Sequence, residues 1–272
     1  MMEGDAGAGD GAGMAAGADD AARAPWGVVL STLSAKGPVR DENEDYCGHE
    51  RQGPSAIVLV IADGVSGYRG GETASQMAVE VTLRAFRELE ATPKLDTRLA
   101  RAAQQANIEI HDLALTVPEL RGMATTLTAI AIVDGKLVAA HVGDSRLYLV
   151  RKGKAVQLTK DHRSGQATLT RSVGRELIAA IDRLRLSRPL ERDDVLVLCT
   201  DGVHGVVSDQ ALARLAAEED PARVCRALID AALAGNSTDN VTVAVVRVVG
   251  PAPEQPRPLG MTERLRRLVK RT

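Results

Sequence analysis

Cysteine is scarce and odd in number: Cys47, Cys199 and Cys225 stand in no paired spacing. That argues against a disulfide framework and describes buried or free thiols in a reducing compartment. No apolar run approaches the ~20 residues of a membrane span, and the first residues lack the basic start and apolar core of a signal peptide. Neither sign of charge dominates, with 34 Lys and Arg against 36 Asp and Glu and a net charge of −2. Such a balance gives no global attraction to nucleic acid. These absences together leave a cytosolic (cytoplasmic) protein with no transmembrane segment and no nucleic-acid partner as the expectation.

What is present is 44% hydrophobic over 272 residues. The ends read as tails, which leaves residues 26–250, roughly 225 positions, enough for a sizeable core. Residues 1–25 are mostly Gly, Ala and Asp and are expected as a disordered leader. Residues 251–272 begin with a proline-rich linker and end in a short basic helix that carries Met261, Leu265, Leu268 and Val269 on one side. A solvated tail is the ordinary reading of that helix, and docking to an acidic partner or an anionic membrane surface is the alternative.

Within the body, the stretch from Ala56 to Gly71 (AIVLVIADGVSGYRGG) organises the rest. Ile57 to Ile61 is the short β-branched run of a strand buried on both faces. It ends on Asp63, and Gly64, Gly67, Gly70 and Gly71 then keep side chains away from that carboxylate. Asp-Gly is also a common turn dipeptide, but the device recurs. The run from Asp194 to Thr200 ends on Asp201-Gly202, and the strand from Val241 to Val249 is preceded by Asp239-Asn240. Three buried strands carrying a carboxylate at one end point to a cation site. Around them the pattern predicts an opening strand from Trp26 to Leu33 and a charged corner from Arg40 to Asp45 (RDENED). Helices are expected over Gly71–Leu89 and Leu95–Leu115, packed together on one face of a sheet, and over Asp209–Ala217 and Ala222–Ala234. A β-rich section from Met123 to Leu158 turns at Asp134-Gly135 and at 151–154 and is interrupted at Gly143 to Arg146. Between Lys160 and Val173 the pattern is weak, and the Asp194 run comes after Leu184 to Leu186.

Glu44, Asp45, Asp63, Asp144, Asp201 and Asp239 are acceptors only when ionised, and gathered without cations they would repel one another. An all-oxygen set poor in His and Cys suits Mg²⁺ or Mn²⁺ rather than zinc. Two such ions about 3.5–4 Å apart can share a bridging water, lower its pKa and orient it for in-line attack on phosphorus. Arg40, beside the carboxylate corner, can supply a bidentate clamp for a phosphate. The side-chain nucleophiles have no motif here. There is no Gly-x-Ser-x-Gly elbow, no Walker loop and no Ser-His-Asp order. Nor is there a Cys-x5-Arg loop, because the positions six beyond the cysteines are Gly53, Gly205 and Ala231.

The series RDENED (40–45), IADGVSG (61–67), GMATTLT (122–128), HVGDSRLY (141–148), LTKDH (158–162), LTRSVG (169–174), LCTDGV (198–203) and DNVTV (239–243) resembles the bacterial metal-dependent protein serine/threonine phosphatases of the PP2C type, also called PPM. The resemblance runs in order from about Val28 to Val249. It implies an α+β fold: a four-layer α-β-β-α sandwich with two central antiparallel β-sheets and the metals at one end. Position by position, Asp63 looks like the ligand bridging both ions. Glu44 and the Gly64 carbonyl resemble the other protein ligands of one ion, and Asp201 and Asp239 those of the second. Asp45 looks like a group that holds metal waters. Asp144, with Asp201, resembles the pair that binds a weaker third ion, and Arg40 the phosphate-binding arginine. Thr125, Thr126 and Ser145 read as structural hydroxyls. The implied partners are phosphorylated proteins, among them a serine/threonine kinase or its targets, and the implied state is a monomer.

Two departures stand out. Many bacterial relatives carry a histidine where this chain has Tyr68, so the proton for the leaving alkoxide must come from Tyr68, a metal water or bulk solvent. The segment after Asp161-His162 is short (RSGQAT) where relatives insert a flap, which predicts an open substrate groove. Two other readings remain: a pseudophosphatase that binds phosphoproteins, and a phosphatase for small phosphate esters.

Overall fold

The computed structural model describes residues 27–52, 56–65, 70–89, 94–165 and 168–250. The expected leader, the basic tail and Tyr68 lie outside the described residues. Twelve strands are described among them. They are β1 (Gly27–Ala35), β2 (Asp45–Arg51), β3 (Ala56–Asp63), β4 (Leu127–Val133), β5 (Lys136–Val142) and β6 (Arg146–Arg151). The remainder are β7 (Lys154–Gln157), β8 (Arg163–Ser164), β9 (Thr168–Leu169), β10 (Asp182–Arg185), β11 (Val195–Cys199) and β12 (Val241–Val249). The helices are α1 (Gly71–Glu88), α2 (Leu95–Thr116), α3 (Asp201–His204), α4 (Asp209–Leu215) and α5 (Pro221–Ala234).

Two five-stranded antiparallel sheets run in the orders β1-β12-β11-β6-β7 and β10-β5-β4-β3-β2. The central strands read as unbroken apolar runs because each face meets a different core. On β3, Ile57, Leu59 and Ile61 join Ile130, Leu196 and Val246 between the sheets. Its alternate residues Val58 and Val60 pack outward with Phe86 of α1 and Leu99 and Ile110 of α2. On β12, Val243 and Val245 face outward in the same way, against Leu228 and Cys225 of α5. Helix, sheet, sheet, helix is therefore the layer order, as the resemblance implied. At Asp134-Gly135 and Lys152-Gly153 both turn residues have positive φ (48° and 73°, 52° and 72°), the geometry that suits two-residue hairpins.

Three elements differ from what the sequence predicts. Strand β2 (DYCGHER) continues directly from the charged corner and lacks an apolar alternation, because it is a sheet edge with one face under α1. Gly48 makes that approach possible, since a Cβ there would stand 2.8 Å from a methyl of Val79. The single turn α3 follows β11 at once, too short for any periodicity to mark it. Strand β4 also begins later than Met123, because Met123 to Thr126 leads into it, Thr125 bridging Gly64 and Val173. The cysteines are free as expected, and burial pushes the Cys199 and Cys225 thiols up to about 12, so neither is a nucleophile at neutral pH.

Candidate metal centre

Strand register alone brings the acidic positions to one end of the sandwich. Asp45 and Asp63 are directly opposite partners at the β2–β3 end. Cys199 pairs with Val243 and with Arg146, so the residues just past them, Asp201, Asp239 and Asp144, emerge at adjoining strand ends. The end of β3 is anchored by the neighbouring loop. The Thr126 amide donates to the Asp63 carbonyl at 2.8 Å, and the Thr125 hydroxyl donates to the same oxygen at 2.9 Å. The Asp63 amide in turn donates to Thr126 Oγ1 at 2.9 Å, and the Thr126 and Ser145 hydroxyls meet at 2.7 Å. All three hydroxyls thus bond to backbone or to each other around the acidic loops.

The charged corner is fastened by a residue the sequence reading passed over. Asn240 accepts from the Glu44 amide at 3.0 Å and donates to the Glu42 carbonyl at 3.0 Å, latching the corner to the start of β12. The Gly64 amide donates to the Glu44 carbonyl at 3.0 Å. Glycine is required nearby: a Cβ on Gly64 would come within 2.5 Å of the Gly71 backbone, and one on Gly71 would collide with the Glu44 carboxylate. Thr200 donates to Asp45 Oδ2 at 2.8 Å, so Asp45 is held at the sheet end even though it is nearly inaccessible.

Electrostatics report the crowding. Burial, then the charges of Asp45, Asp201, Asp239 and Asp144, push the Asp63 carboxyl well above the usual range. Burial raises Asp45 to about 7, with Asp201 and Asp239 adding to it and hydrogen bonds from Thr242 and Thr200 opposing. Asp201 is raised by burial and by Asp239, against the opposing charges of Arg163 and Arg40. Asp144 rises to about 6, through burial and Asp201, with Arg163 opposing. Five carboxylates within electrostatic reach of one another, all oxygen donors, form a set that a hard divalent cation would relieve. Among the described residues no three His, Cys, Asp or Glu side chains are already gathered on one point as a metal cage. Two arginines instead partner members of the set. Arg40 Nη2 lies 2.6 Å from Asp239 Oδ2, and Arg163 Nη1 lies 3.1 Å from Asp144 Oδ2.

The loop carrying Asp144 is fixed by two histidines, His162 of the LTKDH stretch and His204, to which the sequence assigns no role. His204 of α3 donates from Nε2 to the Asp144 carbonyl at 3.0 Å, and burial lowers it to about 4, so it is neutral. The Gly143 amide donates to His162 Nδ1 at 3.1 Å, which puts the proton of that ring on Nε2, 3.0 Å from Asp182. Arg146 grips Asp161 with two teeth, at 2.9 and 2.7 Å, joining the HVGDSRLY and LTKDH stretches. Among the described residues, the segment after His162 forms the short antiparallel pair β8–β9, two residues in each strand.

A family model for protein phosphatase 2C matches residues 38–234. The chain is 33% identical over 246 residues to the serine/threonine protein phosphatase PstP of Mycobacterium tuberculosis, covering 84% of this chain and 46% of the relative. It therefore spans about half the length of that protein. It is 30% identical over 234 residues to the serine/threonine phosphatase stp of Listeria monocytogenes, covering 78% of this chain and 92% of that one. Among solved structures, the catalytic domain of PstP in complex with two manganese ions superposes with a TM-score of 0.70 at 32% identity, covering 82% of this chain and 99% of the other. The family model spans well over half of the chain, and the chain belongs to the protein phosphatase 2C family.

Proposed function

We propose that the chain is a metal-dependent protein serine/threonine phosphatase that hydrolyses phosphoserine and phosphothreonine monoesters. The observation that carries this reading is the convergence of Asp45, Asp63, Asp144, Asp201 and Asp239 on one end of the sandwich, with Arg40 among them. Two Mn²⁺ or Mg²⁺ ions would be held by Asp63 between them, by Glu44 and the Gly64 carbonyl on one side, and by Asp201 and Asp239 on the other. When bound, the ions supply Lewis acidity toward the phosphoryl oxygens and a nucleophile from water at neutral pH. The chain's own residues do the rest. Asp45, held by Thr200, orients water by accepting its hydrogen bonds. Arg40 has a side chain that is 34% exposed, and its fork fits two phosphoryl oxygens. Arg40 would leave a half-buried ion pair with Asp239 to receive substrate, a pair that water reaches on both sides. Tyr68 is our candidate donor of the proton to the leaving alkoxide.

A second reading, hydrolysis of small phosphate esters, is favoured by the two-residue strands of β8–β9, which leave little structure to grip a peptide. Phosphorylated proteins remain the proposed substrates, a serine/threonine kinase or its targets among them, with the protein acting as a cytoplasmic monomer. Among the described residues no helix is long and apolar enough to cross a membrane. Assay of a phosphothreonine peptide beside p-nitrophenyl phosphate, with Mn²⁺ and with EDTA, tests the proposal. Turnover of the peptide that needs Mn²⁺ is expected, and turnover that persists in EDTA would reject it.

A further inference from the structure

Arg163 is the first residue of the short hairpin, and its delivery is fixed by backbone. The preceding residue, His162, donates its amide to the Gly143 carbonyl at 2.8 Å while its ring accepts the Gly143 amide at 3.1 Å. The Thr170 amide closes on the His162 carbonyl at 2.9 Å from the other arm of the hairpin. The base of Arg163 is thereby tied to the residue before Asp144. From there the guanidinium turns inward: Nη1 is 3.1 Å from Asp144 Oδ2, and Nη2 is 3.9 Å from Asp201 Oδ2. The Arg163 side chain is only 23% exposed and that of Asp144 only 5%, so this pair is withdrawn from solvent. Arginine at a loop position normally extends into water, and holding this one inward needs the two carboxylates as counter-charges.

A divalent cation placed between Asp144 and Asp201 would stand against the Arg163 guanidinium, and at this separation the two positive charges repel with little solvent to screen them. We infer that Arg163 is a tethered cation that occupies the space between Asp144 and Asp201, so that the chain takes two divalent ions and Asp144 serves as a counter-ion rather than a ligand. The inference rests on the two-ion reading given above and narrows it, because the pair that the resemblance offered to a third ion is filled by the protein's own charge.

The test is the stoichiometry of Mn²⁺ on the full chain, read by isothermal titration calorimetry and by the electron paramagnetic resonance of free Mn²⁺. The unsubstituted chain is expected to bind two ions. Arg163→Gln is expected to bind three, the third at least tenfold more weakly, and adding Asp144→Asn to it should return the count to two. Asp144→Asn in the otherwise unsubstituted chain should leave the count at two, which keeps the inference open to refutation should Arg163→Gln not fold. Three ions on the unsubstituted chain, a folded Arg163→Gln that stays at two, or loss of an ion from Asp144→Asn alone would each overturn it while leaving the two-ion reading standing. No Mn²⁺ on any of the proteins would overturn both.

Discussion

Two arginines face two carboxylates at the same end of the molecule, and their burial sets them apart. Arg40 and Asp239 meet at 2.6 Å with side chains 34% and 32% exposed, whereas Asp144 in the Arg163 pair is only 5% exposed. Water competes for the first pair, so it opens at little cost. In the second, removing one partner strands a charge in a poorly solvated site. The same chemical contact therefore serves two ends: a releasable arginine where a phosphate is to be received, and a fixed one where charge has to be balanced permanently.

The comparison can be broken at its centre first. Asp63→Ala or Asp239→Ala should reduce phosphatase turnover by at least about 10³-fold while circular dichroism still reports a folded protein, since each removes a ligand from the proposed ion pair. Retention of a tenth of the activity by either variant would show that the carboxylates do not act as we describe. Next in size, Arg163→Ala should destabilise the metal-free chain by about 3 kcal/mol in denaturant unfolding, against less than about 1 kcal/mol for Arg40→Ala. Equal effects would erase the distinction between the pairs. In kinetics the order inverts: Arg40→Ala should raise KM for a phosphopeptide about tenfold with a smaller change in kcat. An unchanged KM would remove Arg40 from the phosphate.

A smaller effect concerns pH. Asp45 and Asp144 are raised in the fold to about 7 and about 6, so the folded chain binds protons there that the unfolded chain releases near pH 4. The protonated fold is then the favoured one, and in EDTA stability should fall as pH rises from about 4 through 7. Thermal unfolding across that range checks the sign. Mn²⁺ should lessen the part of the loss that comes from Asp45, because that carboxylate, once ionised, then has cations beside it.

Much of this was legible before any coordinates. Strands β3, β11 and β12 are apolar runs with a carboxylate at one end, and β5 is an apolar run that follows the turn dipeptide Asp134-Gly135. Strand β2 was not, because an edge strand with polar residues on its open side carries no apolar run. Neither α3 nor the His204 bond to Asp144 could be seen, since four residues show no period and the contact spans 60 positions. Asn240 sits in the DNVTV stretch, where only its neighbour Asp239 is given a role, and its latch to Glu42 and Glu44 appears only in space. Arg163 lies in the segment whose pattern was weakest, where an arginine in a short polar loop reads as solvated. What one-dimensional reading lacks is the depth to which such a side chain is drawn inward.

The central claim is that acidic residues far apart in the chain hold a pair of ions at one end of the sandwich. Anomalous scattering at the manganese edge from crystals grown with Mn²⁺ tests it most directly. Two peaks flanking Asp63, one toward Glu44 and the Gly64 carbonyl and one toward Asp201 and Asp239, are the predicted result. No peak among these residues, or peaks elsewhere on the molecule only, would contradict it.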